Sequence, residues 1–232
     1  MDQNNSNQQQ VLVVSSFDEL VNTAFSGKNN AINWQRNLEG DFEEIVSQLI
    51  LKDDITIVSI DDLNDLSLSE DGIVARNILI DDLQHLTDFG ASPTLNLLKC
   101  YERDTELDFI STDVYSFHVD RSPIPTATFL CTYFGAASDI VANENVQQKI
   151  LIQEIREKLF ELYDGPVDGF DDFLKEYFFD FHYQLNPDAK PYNLGKGNLW
   201  KLAVDHPEQQ VLPCVHRAPK ENIGEYRLLL IC

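Results

Sequence analysis

The chain has 232 residues, enough for one large domain with a real apolar core, and 43% of them are hydrophobic. It carries 39 acidic residues against 17 basic ones, so its formal net charge is −22. A surface this negative disfavours direct binding to nucleic acid or to anionic lipid, and it favours basic proteins or metal cations as partners.

The cysteines and the N-terminus indicate a reduced, cytoplasmic protein. Cys100, Cys131, Cys214 and Cys232 contain no C-x-x-C pair and match no zinc-ribbon spacing. The N-terminus is polar and lacks the basic and apolar regions of a signal peptide. No stretch approaches the roughly 18 apolar residues of a membrane span.

The hydrophobic pattern predicts helices and strands in alternating groups. Residues 1–10 are rich in Asn and Gln and are expected to be disordered. Beyond them, apolar periodicity and capping residues predict the following elements. These are a helix from Ser16, a helix over 42–50, a strand over 55–60, a helix over 69–86, strands over 107–119 and 126–134, helices over 151–162 and 170–181, and strands over 198–204, 211–215 and 226–231.

No repeat or long linker divides this pattern, so we predict one α+β domain over 11–232 with a mostly antiparallel sheet. Two segments, 53–82 and 161–180, hold much of the negative charge. Their acids alternate with apolar residues, which favours a solvated face; the alternative is a surface that binds a basic partner.

Two short motifs place a histidine next to a carboxylate. His118-Val119-Asp120 lies in a β-like run, where period-2 alternation puts both side chains on one face and lets them share a metal ion. The other motif, His206-Pro207-Glu208, has proline at its centre and is typical of a turn. The alternative for His118 is a core histidine that is hydrogen-bonded to an aspartate in a turn.

His216 is the natural third ligand. Two histidines and one carboxylate form the facial triad of non-haem Fe(II) oxygenases, which leaves open coordination positions. Arg227 follows eleven residues later in an apolar strand, and its planar guanidinium suits a carboxylate ligand. The alternative for Arg227 is a buried ion pair with one of the chain's own acids. Arg217 is a competing anion-binding residue, although strand alternation places it opposite His216.

The order of these motifs is similar to that of the Fe(II)/2-oxoglutarate-dependent oxygenases. More closely, segments 117–120, 130–135, 216–219 and 227–229 resemble the bacterial domain of unknown function family 1826. That family's pattern is F-H-x-D, L-L-C-T-Y-x-G, H-R-S-P and R-L-L-L. The chain departs from it after Gly135, where G-T-E-W is absent, and at Ala218 in H-R-A-P; these departures affect the pocket and remove no ligand.

The resemblance implies a double-stranded β-helix, a jelly roll of the cupin type. Its parts would be an N-terminal α/β layer over 11–100, a β core over 101–140 and 195–232, and a helical insertion over 141–194. The resemblance also implies Fe(II) and 2-oxoglutarate as cofactors.

On this reading His118, Asp120 and His216 bind Fe(II), and Arg227 binds the far carboxylate of 2-oxoglutarate. Tyr133 is a further candidate, because its hydroxyl could donate to that carboxylate. Two alternatives stay open: a cupin-type metalloprotein that does not use 2-oxoglutarate, and a non-catalytic acidic protein that binds a basic partner. The substrate is not specified by the sequence, and pairing of an edge strand with a second copy would give a homodimer.

Overall fold

The computed structural model describes residues 9–222 and 224–232 and folds them into two β-sheets with six α-helices. The predicted disordered tail falls largely on residues 1–8, which lie outside the described residues. Gln10, the last residue of that tail, is buried, and its side-chain amide donates to the Val141 carbonyl oxygen at 3.2 Å. At Gln10 the prediction of disorder is therefore wrong.

The elements agree with a mixed α+β protein. The strands are β1 (Val11–Val14), β2 (Ala31–Trp34), β3 (Ile55–Val58), β4 (Thr94–Leu98), β5 (Phe117–His118), β6 (Ala127–Phe134), β7 (Asp139–Val141), β8 (Val146–Gln148), β9 (His182–Leu185), β10 (Tyr192–Asn193), β11 (Leu199–Ala203), β12 (Val215–Arg217) and β13 (Arg227–Ile231). The α-helices are α1 (Phe17–Asn22), α2 (Phe42–Gln48), α3 (Ile60–Asn64), α4 (Glu70–Phe89), α5 (Gln153–Glu161) and α6 (Phe170–Glu176). None of these helices combines the length and the apolar character that a membrane crossing requires.

The strands form a seven-stranded sheet, in the order β1-β2-β11-β6-β13-β4-β3, and a six-stranded sheet, in the order β10-β7-β12-β5-β9-β8. Among the described strands, every pair except β1 with β2 is antiparallel. Eight of them, β4 to β7 and β10 to β13, are paired in a nested way. The first pairs with the last, the second with the seventh, the third with the sixth and the fourth with the fifth.

The N-terminal helices cover one face of the seven-stranded sheet. Side chains at their first turns cap them: Ser16, Asp41, Ser59 and Ser69 each accept a hydrogen bond from a backbone N–H three residues on. Apolar residues of these helices pack against alternate residues of β6 and β13. The strands of the N-terminal hundred residues are thus part of the main sheet, and their helices are its outer layer.

The other face of the seven-stranded sheet meets the six-stranded sheet across an apolar interior. Leu130, Trp200 and Leu229 come from the first sheet, Ile140 comes from the second, and Cys214 directly precedes β12 of the second sheet. Because side chains alternate along a strand, residues two positions from these, such as His216, face the same interior.

The region of residues 99–194 differs from the sequence prediction in three places. The strand predicted over 107–119 is limited to Phe117–His118, because the apolar residues before it pack on the insertion helices instead. The helix predicted over 170–181 ends at Glu176. The insertion is also not purely helical, since β8 and β9 extend the six-stranded sheet next to β5.

Candidate metal centre

His118, Asp120 and His216 come together on two neighbouring strands. His216 on β12 lies directly opposite His118 on β5, and Asp120 follows β5 on the same face. One ligand atom from each residue lies within 4.8 Å of the others. The Nε2 atom of His216 is 3.6 Å from Asp120 Oδ2, and that of His118 is 4.0 Å from Oδ1. These atoms can converge on a single metal ion.

The backbone orients both imidazoles. His118 Nδ1 lies 2.8 Å from the Ser116 carbonyl oxygen, and His216 Nδ1 lies 3.1 Å from that of Cys214. Each ring therefore donates through Nδ1 to the residue two positions earlier, which fixes the tautomer and leaves Nε2 free as an electron-pair donor. Metal-binding histidines are held in this way in proteins.

The carboxylate of Asp120 is positioned by β6. Thr128 on that strand donates its hydroxyl to Asp120 Oδ2. Burial alone would raise the pKa of Asp120, but His216, the Thr128 hydroxyl and His118 together lower it below its ordinary value. The carboxylate is thus kept ionised, and with 36% of its side chain exposed it lies where the site meets solvent.

The fold keeps His118 neutral. Burial, and then the neighbouring His216, lower the pKa of His118 from 6.5 to about 4. A neutral imidazole is the form that binds a metal ion. A donor set of two imidazole nitrogens and one carboxylate suits Fe(II) and other borderline divalent metals.

A third histidine, His182, lies beside His118 and His216 in a row across neighbouring strands. The sequence did not predict that it lies next to the site. It lies on β9 directly opposite His118, with the two ring centroids 5.9 Å apart. It is only 4% exposed, and its Nδ1 is buried without a hydrogen-bond partner among the described residues. Only the register between β5 and β9 places His182 opposite His118, and a single sequence does not reveal that register.

Arg227 is buried between the two sheets without a carboxylate partner among the described residues. It is 6% exposed, and one terminal nitrogen donates to the hydroxyls of Thr132 at 3.1 Å and Ser138 at 2.8 Å. Its Nε is buried and unpartnered. Burial lowers the pKa of Arg227, with partial opposition from Tyr101 and Glu221. The sequence alternative of an ion pair with one of the chain's own acids is therefore not realised.

Gly135 allows the chain to pass close to this arginine. Its φ of +81° lies in the left-handed region, and a Cβ there would meet the Tyr226 carbonyl oxygen at 2.6 Å and the Arg227 Cα at 3.0 Å. Only glycine fits this position. The glycine of the T-Y-x-G motif thus shapes the surroundings of Arg227.

Tyr133 is not brought to the site, which corrects the sequence assignment. It lies on the helix-facing side of β6, and its hydroxyl donates to Asp82 Oδ2 at 2.6 Å. The same carboxylate bonds Arg36 at 2.6 Å. The neighbouring Thr132 occupies the inward face instead, because successive residues of a strand point in opposite directions.

Two other candidates have structural partners. Arg217 is bonded to Asp139, with its terminal nitrogen 2.9 Å from Oδ2, on the face of β12 opposite His216. His206 accepts a hydrogen bond from the backbone N–H of Glu208, as a residue in a turn would. In the acidic segment 53–82, Asp54 bonds Lys99, Asp62 caps α3 and Asp82 is buried.

The chain belongs to the family described as "Protein of unknown function (DUF1826)", whose model matches residues 18–232. The match includes every residue of the triad and Arg227. Neither the curated proteins nor the solved structures contain a significant match to this chain. The family is thus established over almost the whole chain, and its function has to be argued from the site.

Proposed function

We propose that the protein is a metal-dependent oxygenase with a jelly-roll fold that uses Fe(II) and 2-oxoglutarate. The nested pairing of β4 to β7 with β10 to β13 supports the fold, because rolling up one long antiparallel hairpin produces this order and defines a jelly roll. All four cysteines are free thiols, which supports a reducing compartment such as the cytoplasm.

The observation that carries the proposal is the unpaired Arg227 in the same interior as the triad. A guanidinium that is buried without an anion is costly, since its desolvation is not offset by an opposite charge. The Arg227 guanidinium donates to two hydroxyls, and its Nε is free. A ligand carboxylate could accept from this guanidinium and supply the missing negative charge. A small molecule with a carboxylate is therefore the expected occupant.

Strand β6 contacts both ends of the proposed site. Thr128 holds the metal-binding Asp120, and Thr132 holds Arg227. Both face inward, and the four-residue separation corresponds to about 13 Å along a strand. A ligand that binds the metal at one end and the guanidinium at the other needs acidic groups at both ends of a short chain. 2-Oxoglutarate has this form.

In this proposal the side chains divide the work. The Nε2 atoms of His118 and His216 and the carboxylate of Asp120 hold the metal, and Arg227 orients the co-substrate. The apolar side chains around Leu130 and Leu229 exclude water from the path between them. When bound, Fe(II) with 2-oxoglutarate supplies oxidative decarboxylation of the co-substrate coupled to activation of dioxygen.

Metal uptake tests the first part of the proposal. We expect apo protein to bind one equivalent of Mn(II) or Fe(II) in anaerobic equilibrium dialysis, and His118→Ala or His216→Ala to weaken binding at least tenfold. His206→Ala is the matched control, since it removes the histidine of the other His-x-acid motif and should leave uptake unchanged. Equal binding by all four proteins would refute the metal site.

A cupin-type metalloprotein that does not use 2-oxoglutarate is the second candidate. His182 favours it, because a third histidine in the same row could join the ligands if its ring turned toward the metal. A four-ligand site leaves two open positions, too few for a chelating co-substrate and dioxygen together. In that case His182→Gln would weaken metal binding as strongly as His118→Ala, whereas the oxygenase proposal predicts a change of less than twofold.

A further inference from the structure

A groove of about 560 Å³ runs along the rim next to the metal site. The loop from β5 to β6 contributes Arg121 and Pro123, the loop from β11 to β12 contributes Asp205 and Pro207, and the insertion contributes Phe178 and Phe181. Arg121 directly follows Asp120, and the backbone N–H of Asp205 donates to the Asp120 carbonyl oxygen at 2.9 Å. The groove therefore begins one residue from a proposed metal ligand.

Phe178 is the unusual residue of this groove. It follows α6 in the left-handed conformation, with φ 60° and ψ 13°, a position that glycine or asparagine normally occupies at the end of a helix. Its side chain is also 59% exposed. Folding thus gains little from this phenylalanine, whose ring contact in the described structure is Phe181 at 5.6 Å. Residues in such sparsely populated backbone conformations cluster at active sites and ligand clamps.

The charge of the groove is negative. The guanidinium of Arg121 stacks 3.7 Å above the Phe181 ring and is shared by two carboxylates, Asp180 and Asp205, each at 2.7 Å. One positive charge between two negative ones leaves an excess negative charge, and the whole chain carries −22. The second oxygen of Asp180 is buried without a partner, and Asp205 is 41% exposed. An anionic ligand is disfavoured here.

The exposed ring of Phe178, in a groove that also contains the carboxylate of Asp205, favours a cation with an apolar stem. The ring face attracts the positive charge, the carboxylate pairs with it, and the apolar part packs on Phe178 and the two prolines. Lysine and arginine side chains have this composition. The groove volume of about 560 Å³ is also larger than one side chain requires.

We propose that this groove binds a Lys- or Arg-containing segment of a polypeptide and presents a neighbouring residue of that segment to the metal site. Reaction of the bound segment at the metal site rests on the proposed function, whereas its binding to the groove does not require the metal. The proposed substrate class is therefore a basic polypeptide. Binding of such a segment explains why Phe178 is exposed and strained.

The test is binding of a fluorescein-labelled peptide, Ala-Lys-Ala-Arg-Ala-Lys-Ala, to the full chain in EDTA at physiological ionic strength, measured by fluorescence anisotropy. We expect Phe178→Ala to weaken binding at least tenfold and Asp205→Asn to weaken it several-fold. Phe160→Ala is the matched control, because Phe160 is an exposed aromatic residue (43%) of the same insertion outside the groove. A peptide with Gln in place of Lys and Arg should not bind.

The melting temperature of Phe178→Gly distinguishes a binding role of Phe178 from a structural one. Glycine adopts the left-handed conformation freely, so we expect this variant to raise the melting temperature while it loses peptide binding. Equal peptide binding by Phe178→Ala and Phe160→Ala, or a lower melting temperature for Phe178→Gly, would overturn the proposal. Because the assay contains no metal, its failure is separate from failure of the oxygenase proposal, which metal uptake tests.

Discussion

Two buried arginines lie on opposite sides of β6, and their surroundings differ in one respect. Arg36, on the helix side, bonds Asp82 at 2.6 Å and the Gly197 carbonyl oxygen at 2.9 Å. Arg227, on the inward side, has two neutral hydroxyls and a free Nε. Burial would lower both pKa values, but Asp82 raises the pKa of Arg36, while that of Arg227 remains lowered.

In the proposed function, this difference separates a structural arginine from one that binds a ligand. The Arg36–Asp82 pair is complete within the chain and joins the segment after β2 to α4, and through the Tyr133 hydroxyl to β6. Arg227 has no ion pair with an acid among the described residues, since Glu221 only partly offsets the effect of burial on its pKa, and in the proposed function a ligand carboxylate completes it.

Removing the Asp82 carboxylate from the Arg36–Asp82 pair should have the largest effect on stability. Asp82→Ala leaves Arg36 as a buried unpaired charge and the Tyr133 hydroxyl without its acceptor, so the free energy of unfolding should fall by about 3–5 kcal/mol. Urea denaturation measures this loss. Asp81→Ala, an exposed neighbour on the same helix, should change stability by less than about 0.5 kcal/mol. Similar values for the two variants would refute the structural role of the pair.

Acidification should destabilise the apo protein through the buried histidines. The pKa of His118 falls from 6.5 to about 4 on folding, and burial lowers that of His182 to about 3. Between these values and pH 6.5 the unfolded chain binds more protons than the folded one, so stability is lost as the pH falls through this range. For His118 the full loss is on the order of 3 kcal/mol.

The difference between wild type and His118→Gln isolates this contribution from the general effect of protonating many acids. The stability of wild type should fall relative to the variant between pH 7 and pH 4, as followed by urea midpoints in EDTA. Parallel pH profiles would show that His118 is not kept neutral by the fold.

The Arg227→Met variant should lose affinity for 2-oxoglutarate without losing stability. Removing one partner of a buried charge pair in the complex costs roughly 2–5 kcal/mol of binding, so affinity for 2-oxoglutarate should fall at least about thirtyfold. The free energy of unfolding should stay the same or rise by up to about 2 kcal/mol, because a buried unpaired charge is removed. Calorimetric titration with the Mn(II)-loaded protein and urea denaturation measure the two quantities. A strongly destabilised variant would place Arg227 with Arg36 as a structural residue.

His182→Leu should have the smallest effect on stability. Its Nδ1 is buried and unpartnered, so an apolar side chain of similar size should change the free energy of unfolding by no more than about 1 kcal/mol. A loss of several kcal/mol in urea denaturation would indicate that the imidazole has a structural partner after all.

Much of the site follows from local rules that a single sequence contains. Alternation along a strand predicted that His118 and Asp120 share a face, and it placed Arg217 opposite His216; both placements agree with the structure. The same rule excludes Tyr133 once Thr132 is known to face inward, but the sequence does not say which face of β6 is inward. That depends on how the sheets pack.

Contacts between distant segments could not be predicted. His182 meets His118 through the register of β9 with β5, and Arg36 meets Asp82 across 46 positions of the chain. Register and pairing partners depend on the whole fold. The segment before Phe117 looked like a strand because it is apolar, yet its residues pack with the insertion helices in a separate cluster.

Anaerobic titration of the apo protein with Fe(II) and then 2-oxoglutarate tests the central claim most directly. Chelation of 2-oxoglutarate by iron in a facial triad should produce a visible charge-transfer band that neither component shows alone. We expect the band to be absent in His216→Ala, to require much more 2-oxoglutarate in Arg227→Met, and to be unchanged in Arg217→Met. Iron uptake without a band, or a band that responds equally to both arginine variants, would contradict the assignment of Arg227 to the co-substrate.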